Sequence, residues 1–269
     1  MPEQMEMTMA EIAQQVRVRN QAIRLQVIRI LVILLALAFW QYADGRWIPD
    51  FIISSPTKVA VRLFTEFKTG SVWVDIAVTS EELVLGYLIG VVSGTLIGLI
   101  LGFWQSAAVV FEPLITAING IPKVALAPLF LLAMGIGIWS KVAIAAMTVF
   151  FVMFYNTYLG MKTLPEPLID VLRLMGAKRP TIVRKVVFPS ITPALLAGLK
   201  AGVPFAVIGV VVGEFVAADK GVGYQIRYAT DMYDSAGLFA GIIILLAMIL
   251  IAGGLLSWLE QRALRWRTK

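Results

Sequence analysis

Residues Leu83–Trp104 run for 22 positions without one charged side chain, and no other feature of the sequence restricts its fold so strongly. A helix needs about 20 mostly apolar residues to cross a bilayer. Inside hydrocarbon the backbone must also satisfy its own hydrogen bonds, which a helix does. Val142–Leu159, Pro193–Val216 and Leu238–Trp258 are runs of the same kind. A shorter one, Ile28–Tyr42, starts beside Arg29, whose aliphatic stem lets the charge reach the interface. Between Ala107 and Ile138 the apolar character is interrupted by Pro113, Pro122, Lys123 and Pro128. Proline removes a backbone donor and crowds the preceding turn, so this region reads as one broken span. At 59% hydrophobic and 15% charged residues, a soluble chain of 269 residues could not hide so much apolar surface. The expectation is an all-α polytopic membrane protein of about six spans. Residues 28–260 then form a single transmembrane domain, between a cytoplasmic segment 1–27 and a basic cytoplasmic tail 261–269.

Orientation follows from Lys and Arg, which accumulate on cytoplasmic loops. With the N-terminus inside, Arg17, Arg19, Arg24 and Arg29 are cytoplasmic. An even number of crossings then brings the 160–192 loop (Lys162, Arg173, Lys178, Arg179, Arg184, Lys185) and the tail (Arg262, Arg265, Arg267, Lys269) to the same side. These are 14 of the 23 basic residues, against six in the opposite loops 43–82 and 219–237. The same bias accounts for the net charge of +6 with no need of a nucleic acid. Ala36-Leu37-Ala38 loosely matches a signal-peptide cleavage site. The polar lead before it is long, however, and cleavage would leave five spans, so the first span is expected to be retained. The absence of Cys excludes disulfides and thiolate chemistry, and the absence of His removes the commonest general base and metal ligand. No metal site is expected.

Within the 43–82 loop, Ser54 or Ser55 stands where it can cap a helix with Pro56 in its first turn. Val59, Leu63 and Phe67 then share one face, as in an amphipathic helix lying on the outer leaflet. The second span places Gly86, Gly90, Gly94, Gly98 and Gly102 four apart, a face where another helix can approach closely. Gly198 and Gly202, then Gly209 and Gly213, repeat the device less regularly. Tight helix packing is the reading, with a homodimer seam as one way to use it. Asn119, Lys123, Asn156 and Glu214 fall in or near the spans, where polar groups are costly unless paired or wet. Three readings stand: these residues line a pathway, Lys123 and Glu214 form a structural pair, or Glu214 simply lies near the outer interface.

The 160–192 loop carries "EPLIDVLRLMGAK", in which Leu168, Val171, Leu172 and Met175 recur at helical spacing. Gly176 stands where a left-handed cap ends a helix. Pro180 suits the first turn of a second short helix through "TIVRKVVF", which Pro189 helps to stop. A greasy face with basic flanks needs either a protein partner or an anionic lipid surface.

This segment resembles the cytoplasmic signature of permease subunits of bacterial ABC importers: Glu-Ala-Ala, three residues, Gly, nine residues, Ile-x-Leu-Pro. Asp170-Val171-Leu172 stands at the Glu-Ala-Ala positions, Gly176 follows after three residues, and Val186-Val187-Phe188-Pro189 follows after nine more. The spacing is complete and the residue match is partial. "SSPTKVAVRLF", "GIPKVALAPLFLLAMGIGIWSKV", "NTYLGMKTL" and "GEFVAADKGVGYQI" look like the nitrate/sulfonate/taurine group of that family, over roughly residues 50–230. The resemblance implies a coupling helix docked in a groove of an ATP-hydrolysing subunit. Asp170, Val171, Leu172, Arg173, Met175, Gly176, Val186, Phe188 and Pro189 would serve that contact. It implies also a second permease copy, two ATP-binding cassette subunits, which bind the ATP and Mg, and an extracytoplasmic solute-binding protein, all at the bacterial inner membrane.

The chain has no Gly-x4-Gly-Lys-Ser/Thr loop, so nucleotide hydrolysis is left to another subunit. Without His, Cys or paired intramembrane carboxylates, a membrane enzyme is the weakest alternative. A secondary transporter or channel would call for inverted repeats or several acidic residues in the spans. Lys123 suits a small anionic solute electrostatically.

Overall fold

The computed structural model describes residues 2–47, 49–50 and 52–263. Helix α1 (Pro2–Ala43) leads, without a break at residue 27, into the first apolar span, Ile23–Ala43. That span begins five residues before the expected Ile28, because nothing between Arg24 and Ile28 interrupts the helix. Side chains before Asn20 are outside the description, and so are residues 264–269 with Arg265, Arg267 and Lys269.

Helix α2 (Pro56–Thr69) ends at Gly70, whose φ of 81° lets the chain turn straight into α3 (Ser71–Phe103). Residues 71–82, expected to be loop, are therefore the first turns of α3, since no breaker follows Gly70. Ser55 occupies the N-cap position of α2, but its hydroxyl meets Thr57 Oγ1 at 3.2 Å and caps no backbone donor. The face expected to lie on lipid turns partly to protein. Val59 is buried, and Leu63 packs on the Val72, Val222, Ile226 and Ile244 cluster. Phe67 meets Trp73 edge-on.

Helix α4 (Gln105–Asn119), a short 3-10 turn (Lys123–Leu126) and α5 (Ala127–Met134) follow, with an 83° bend at the Gly120–Pro122 break. Next come α6 (Ile138–Lys162) and α7 (Glu166–Leu174). Helix α8 (Arg179–Ile182) passes through a π-helical stretch, Val183–Val187, into α9 (Phe188–Val216). Helices α10 (Val222–Asp231) and α11 (Ser235–Ala263) complete the chain. Pro189 does not stop the helix, contrary to expectation. The widened turn before it bonds Phe188 N–H to Val183 O, five residues back, and makes room for the proline ring.

The core is α3, α6 and α9. A Cβ on Gly86 would lie 2.5 Å from Ala145 Cβ, on Gly90 2.6 Å from Ala146 O, on Gly94 2.5 Å from Phe150 O, on Gly98 2.8 Å from Thr157 Cβ and on Gly102 2.5 Å from Met161 Cβ. The glycine face of α3 is thus filled by α6 of the same chain. Both series of numbers rise together, so α3 and α6 run parallel. Gly198 meets Asn156, Gly209 meets Ala145 and Gly213 meets Lys141, so α9 runs antiparallel to both. Parallel neighbours require the chain to return across the bundle between Phe103 and Ile138. The bent α4–α5 pair makes that return and is a sixth span, beside five helices long and apolar enough to cross alone. Two ends result: an α7 end near Phe103, Lys162 and Phe188, and an α10 end near Thr79, Lys141 and Gly213.

Candidate functional site: the α7 turn and the polar groups of the bundle

Helix α7 is short because proline opens it and glycine closes it. Pro167 lies in its first turn, and Gly176 at φ 80° ends it. The Ala177 N–H donates to Leu172 O at 2.9 Å and the Gly176 N–H to Arg173 O at 2.9 Å, the paired bonds of a left-handed helix cap. Leu174 is 89% exposed and Met175 77%, with Val171 exposed one turn before them. Asp170 and Arg173, both exposed, pair at 3.1 Å beside this apolar tip. Leu172 is half-buried and the Leu168 side chain lies outside the description, so of the expected stripe only Val171 and Met175 are seen exposed, joined by Leu174. Leu174 escaped the sequence reading, although it sits three residues after Val171. The downstream half of the signature behaves differently. Val186 is buried, next to Val187, which packs with Met161 and Ile191 to anchor the turn to the bundle; Phe188 is half-exposed and Pro189 partly buried.

Of the four polar span residues, Asn119 and Lys123 are brought into contact, while Asn156 and Glu214 have other partners. Lys123 Nζ donates to Asn119 O and Asn119 Oδ1, each at 2.7 Å, and lies 4.8 Å above the Phe151 ring. Phe151 also lines a cavity of about 630 Å³ between α3, α4 and α6, with Phe111, Ile115, Ile118, Met147 and Phe150 among its walls. Asn156 donates to Val152 O on its own helix at 2.9 Å. Lys123 and Glu214 form no pair. The buried ion pair is instead Lys141–Glu82, at 3.2 Å.

Glu214 is fully buried at the α10 end, where it joins two residues of α3 that the sequence reading passed over. Helix α10 begins at a glycine-rich turn whose backbone donors need partners. Asp75 Oδ1 accepts from Gly221 N–H at 2.6 Å, Thr79 Oγ1 from Val222 N–H at 2.8 Å and Glu214 Oε2 from Gly223 N–H at 2.6 Å. The Thr79 hydroxyl in turn donates to Glu214 Oε1 at 2.7 Å. The positive end of α10 thus rests on two carboxylates and a hydroxyl. A signal existed: Asp75, Thr79 and Glu82 precede Gly86 at three- and four-residue steps, so they continue the glycine face upward.

Residues 83–265 match the family described as binding-protein-dependent transport system inner membrane component. The chain is 30% identical over 239 residues to the formylaminopyrimidine transport permease protein ThiX of Halalkalibacterium halodurans, covering 89% of this chain and 95% of that one. It is 27% identical over 232 residues to SsuC of Bacillus subtilis, named for transport of aliphatic sulfonates, covering 86% and 84% of the two chains. Among solved structures, a permease chain of the inward-facing MetNI methionine ABC transporter superposes with a TM-score of 0.60 at 18% identity, over 72% of this chain and 97% of that one; that likeness is one of fold. With two thirds of its length matched by the family and the fold in agreement, the chain belongs to the binding-protein-dependent transport system inner membrane components, as a multi-pass ABC importer permease whose ATP hydrolysis is carried out by separate subunits.

Proposed function

We propose that two copies of this chain form the translocation pathway of an importer in the inner membrane, with the α7 end cytoplasmic. Two ATPase subunits dock at α7, and a solute-binding protein delivers cargo to the α10 end. The observation that carries this reading is the apolar tip Val171, Leu174 and Met175, exposed on a capped turn beside the Asp170–Arg173 pair. A tip of that kind on a single turn suits a groove of a partner protein better than a lipid surface, because it is too small to bury a long amphipathic face. Asp170, Val171, Leu172, Arg173, Met175 and Gly176 form the docking turn, and Val186, Phe188 and Pro189 hold it to the bundle. Valine at position 176 is strained by roughly 1–2 kcal/mol in the left-handed conformation and misdirects the tip. Gly176→Val is expected to leave the spans folded, while reducing the ATPase co-purified per permease in detergent free of anionic lipid. Wild-type stoichiometry with coupled transport overturns the assignment.

For the solute, the reading is a small anion with an apolar body. Support comes from Lys123, which has no carboxylate within ion-pair distance among the described residues and sits over the ring of Phe151, a wall of the apolar cavity. Asn119 holds its ammonium in place, and Asn156 belongs to the same pathway only if the second copy opens it. A flat uncharged ring is the second reading, favoured by Phe111, Phe150 and Phe151 in that cavity and by the name of the formylaminopyrimidine relative. A charge-assisted hydrogen bond contributes about 1.5–3 kcal/mol, so Lys123→Met is expected to lower uptake of a small anion roughly tenfold or more. Unchanged uptake of the anion, or uptake confined to uncharged ring compounds, sinks the anionic reading and leaves the second.

A further inference from the structure

The α10 end of the bundle holds more buried charge than the capping of α10 uses. Glu82 is 1% exposed, Glu214 0% and Lys141 6%, which encloses two carboxyl groups and one ammonium among apolar helices. Glu214 accepts a hydrogen bond at each oxygen, one from the Thr79 hydroxyl and one from Gly223 N–H. With Val222 N–H on its oxygen, the Thr79 hydroxyl still has its one proton to give to Glu214 Oε1. Acceptance at both oxygens is the pattern of an ionised carboxylate. Glu82 differs. Its Oε1 takes Lys141, while its Oε2 is buried with no hydrogen-bond partner, although the Glu214 carboxyl is its neighbour.

An ionised Glu82 would put two negative charges and a single ammonium in this enclosed end of the bundle. Two like charges so placed do not both stay ionised, and an uncompensated buried charge is costly. No other charged group at this end relieves it. Asp75 on α3 is occupied by Gly221 N–H and Gln225 Nε2, and Arg227 on α10 donates to the carbonyls of Phe215 and Ala218. Glu81, Asp219 and Lys220 are exposed.

We propose that Glu82 carries a proton on Oε2 and donates it to Glu214, so that the cluster consists of one ammonium, one carboxylate and one carboxylic acid and is neutral. The proton is the ligand of this site. It lets α3, α6 and α9 close together without water at the α10 end, whichever solute crosses. A rearrangement that parts α3 from α9 there wets Glu82 and releases its proton.

The test is infrared spectroscopy of the complete transporter in lipid nanodiscs at neutral pH and physiological sodium. The wild type is expected to show a carbonyl stretch of a protonated carboxyl group that Glu82→Gln abolishes. Glu82→Gln keeps wild-type thermal stability, because the amide still donates toward Glu214 and accepts from Lys141. Glu214→Gln also removes the band, since Glu82 then ionises against Lys141. Two results overturn the proposal: a wild-type spectrum with no protonated carboxyl dependent on Glu82, or a Glu82→Gln variant destabilised as strongly as Glu82→Leu.

Discussion

Gly94 leaves no room for a methyl group: a Cβ there would meet Phe150 O at 2.5 Å and Met153 Cβ at 2.8 Å. Gly94→Leu must therefore push α6 from α3, and overpacking of this kind costs about 1–3 kcal/mol. A lowered thermal unfolding temperature is expected for Gly94→Leu. Gly253→Leu is expected to leave it unchanged, because nothing lies within 4 Å of a Cβ there. The tight face was legible in the sequence, since five glycines at one spacing need no partner to be noticed. Its extension through Asp75, Thr79 and Glu82 was not, because polar residues before a span look like loop until the helix is known to reach back to Ser71. The choice between lysines was equally hidden. From the sequence, Lys123 was the lysine considered as a structural partner for Glu214, and Lys141 was not. Only the packing of α6 against α3 and α9 sets Lys141 beside the acids, while Lys123 turns to Asn119.

At the scale of elements, α10 is held less by its own sequence than by side chains of α3 and α9. Thr79→Val keeps the shape but leaves Val222 N–H and a Glu214 oxygen without partners, a change worth about 1–3 kcal/mol per buried group. Faster amide hydrogen exchange at residues 221–226 is the expected outcome. Exchange at wild-type rates would show that the hydroxyl is dispensable to the cap. Thr65→Val is the control, since that exposed hydroxyl donates only to Val61 O in its own helix. The broken α4–α5 span was readable from its prolines. The unbroken run from α8 into α9 was not, because a proline that marks a stop in α-helical geometry can follow a π turn without ending the helix. Gly176 was readable as a cap for the converse reason: no tertiary contact is needed for a left-handed glycine to end a helix, and nothing lies within 4 Å of a Cβ built there.

Over the whole molecule, the parallel course of α3 and α6 forces a crossing between them and gives six spans. Six crossings bring the start of α1, the α7 turn and the described end of α11 to one end of the bundle. In the proposed reading that end is the cytoplasmic one, the side that the charge bias of the sequence favours. In this account the exposed tip of α7 is the place where ATP-driven movement enters the permease. The most direct test uses Met175→Cys, which is the only thiol in a chain without native cysteine. An impermeant thiol reagent is applied to right-side-out and inside-out membrane vesicles carrying the transporter, before and after the ATPase subunits are stripped. Labelling is expected only in inside-out vesicles, rising when the ATPase subunits are removed and falling again when they rebind. Labelling in right-side-out vesicles, or labelling in inside-out vesicles that ignores the ATPase subunits, would contradict the account.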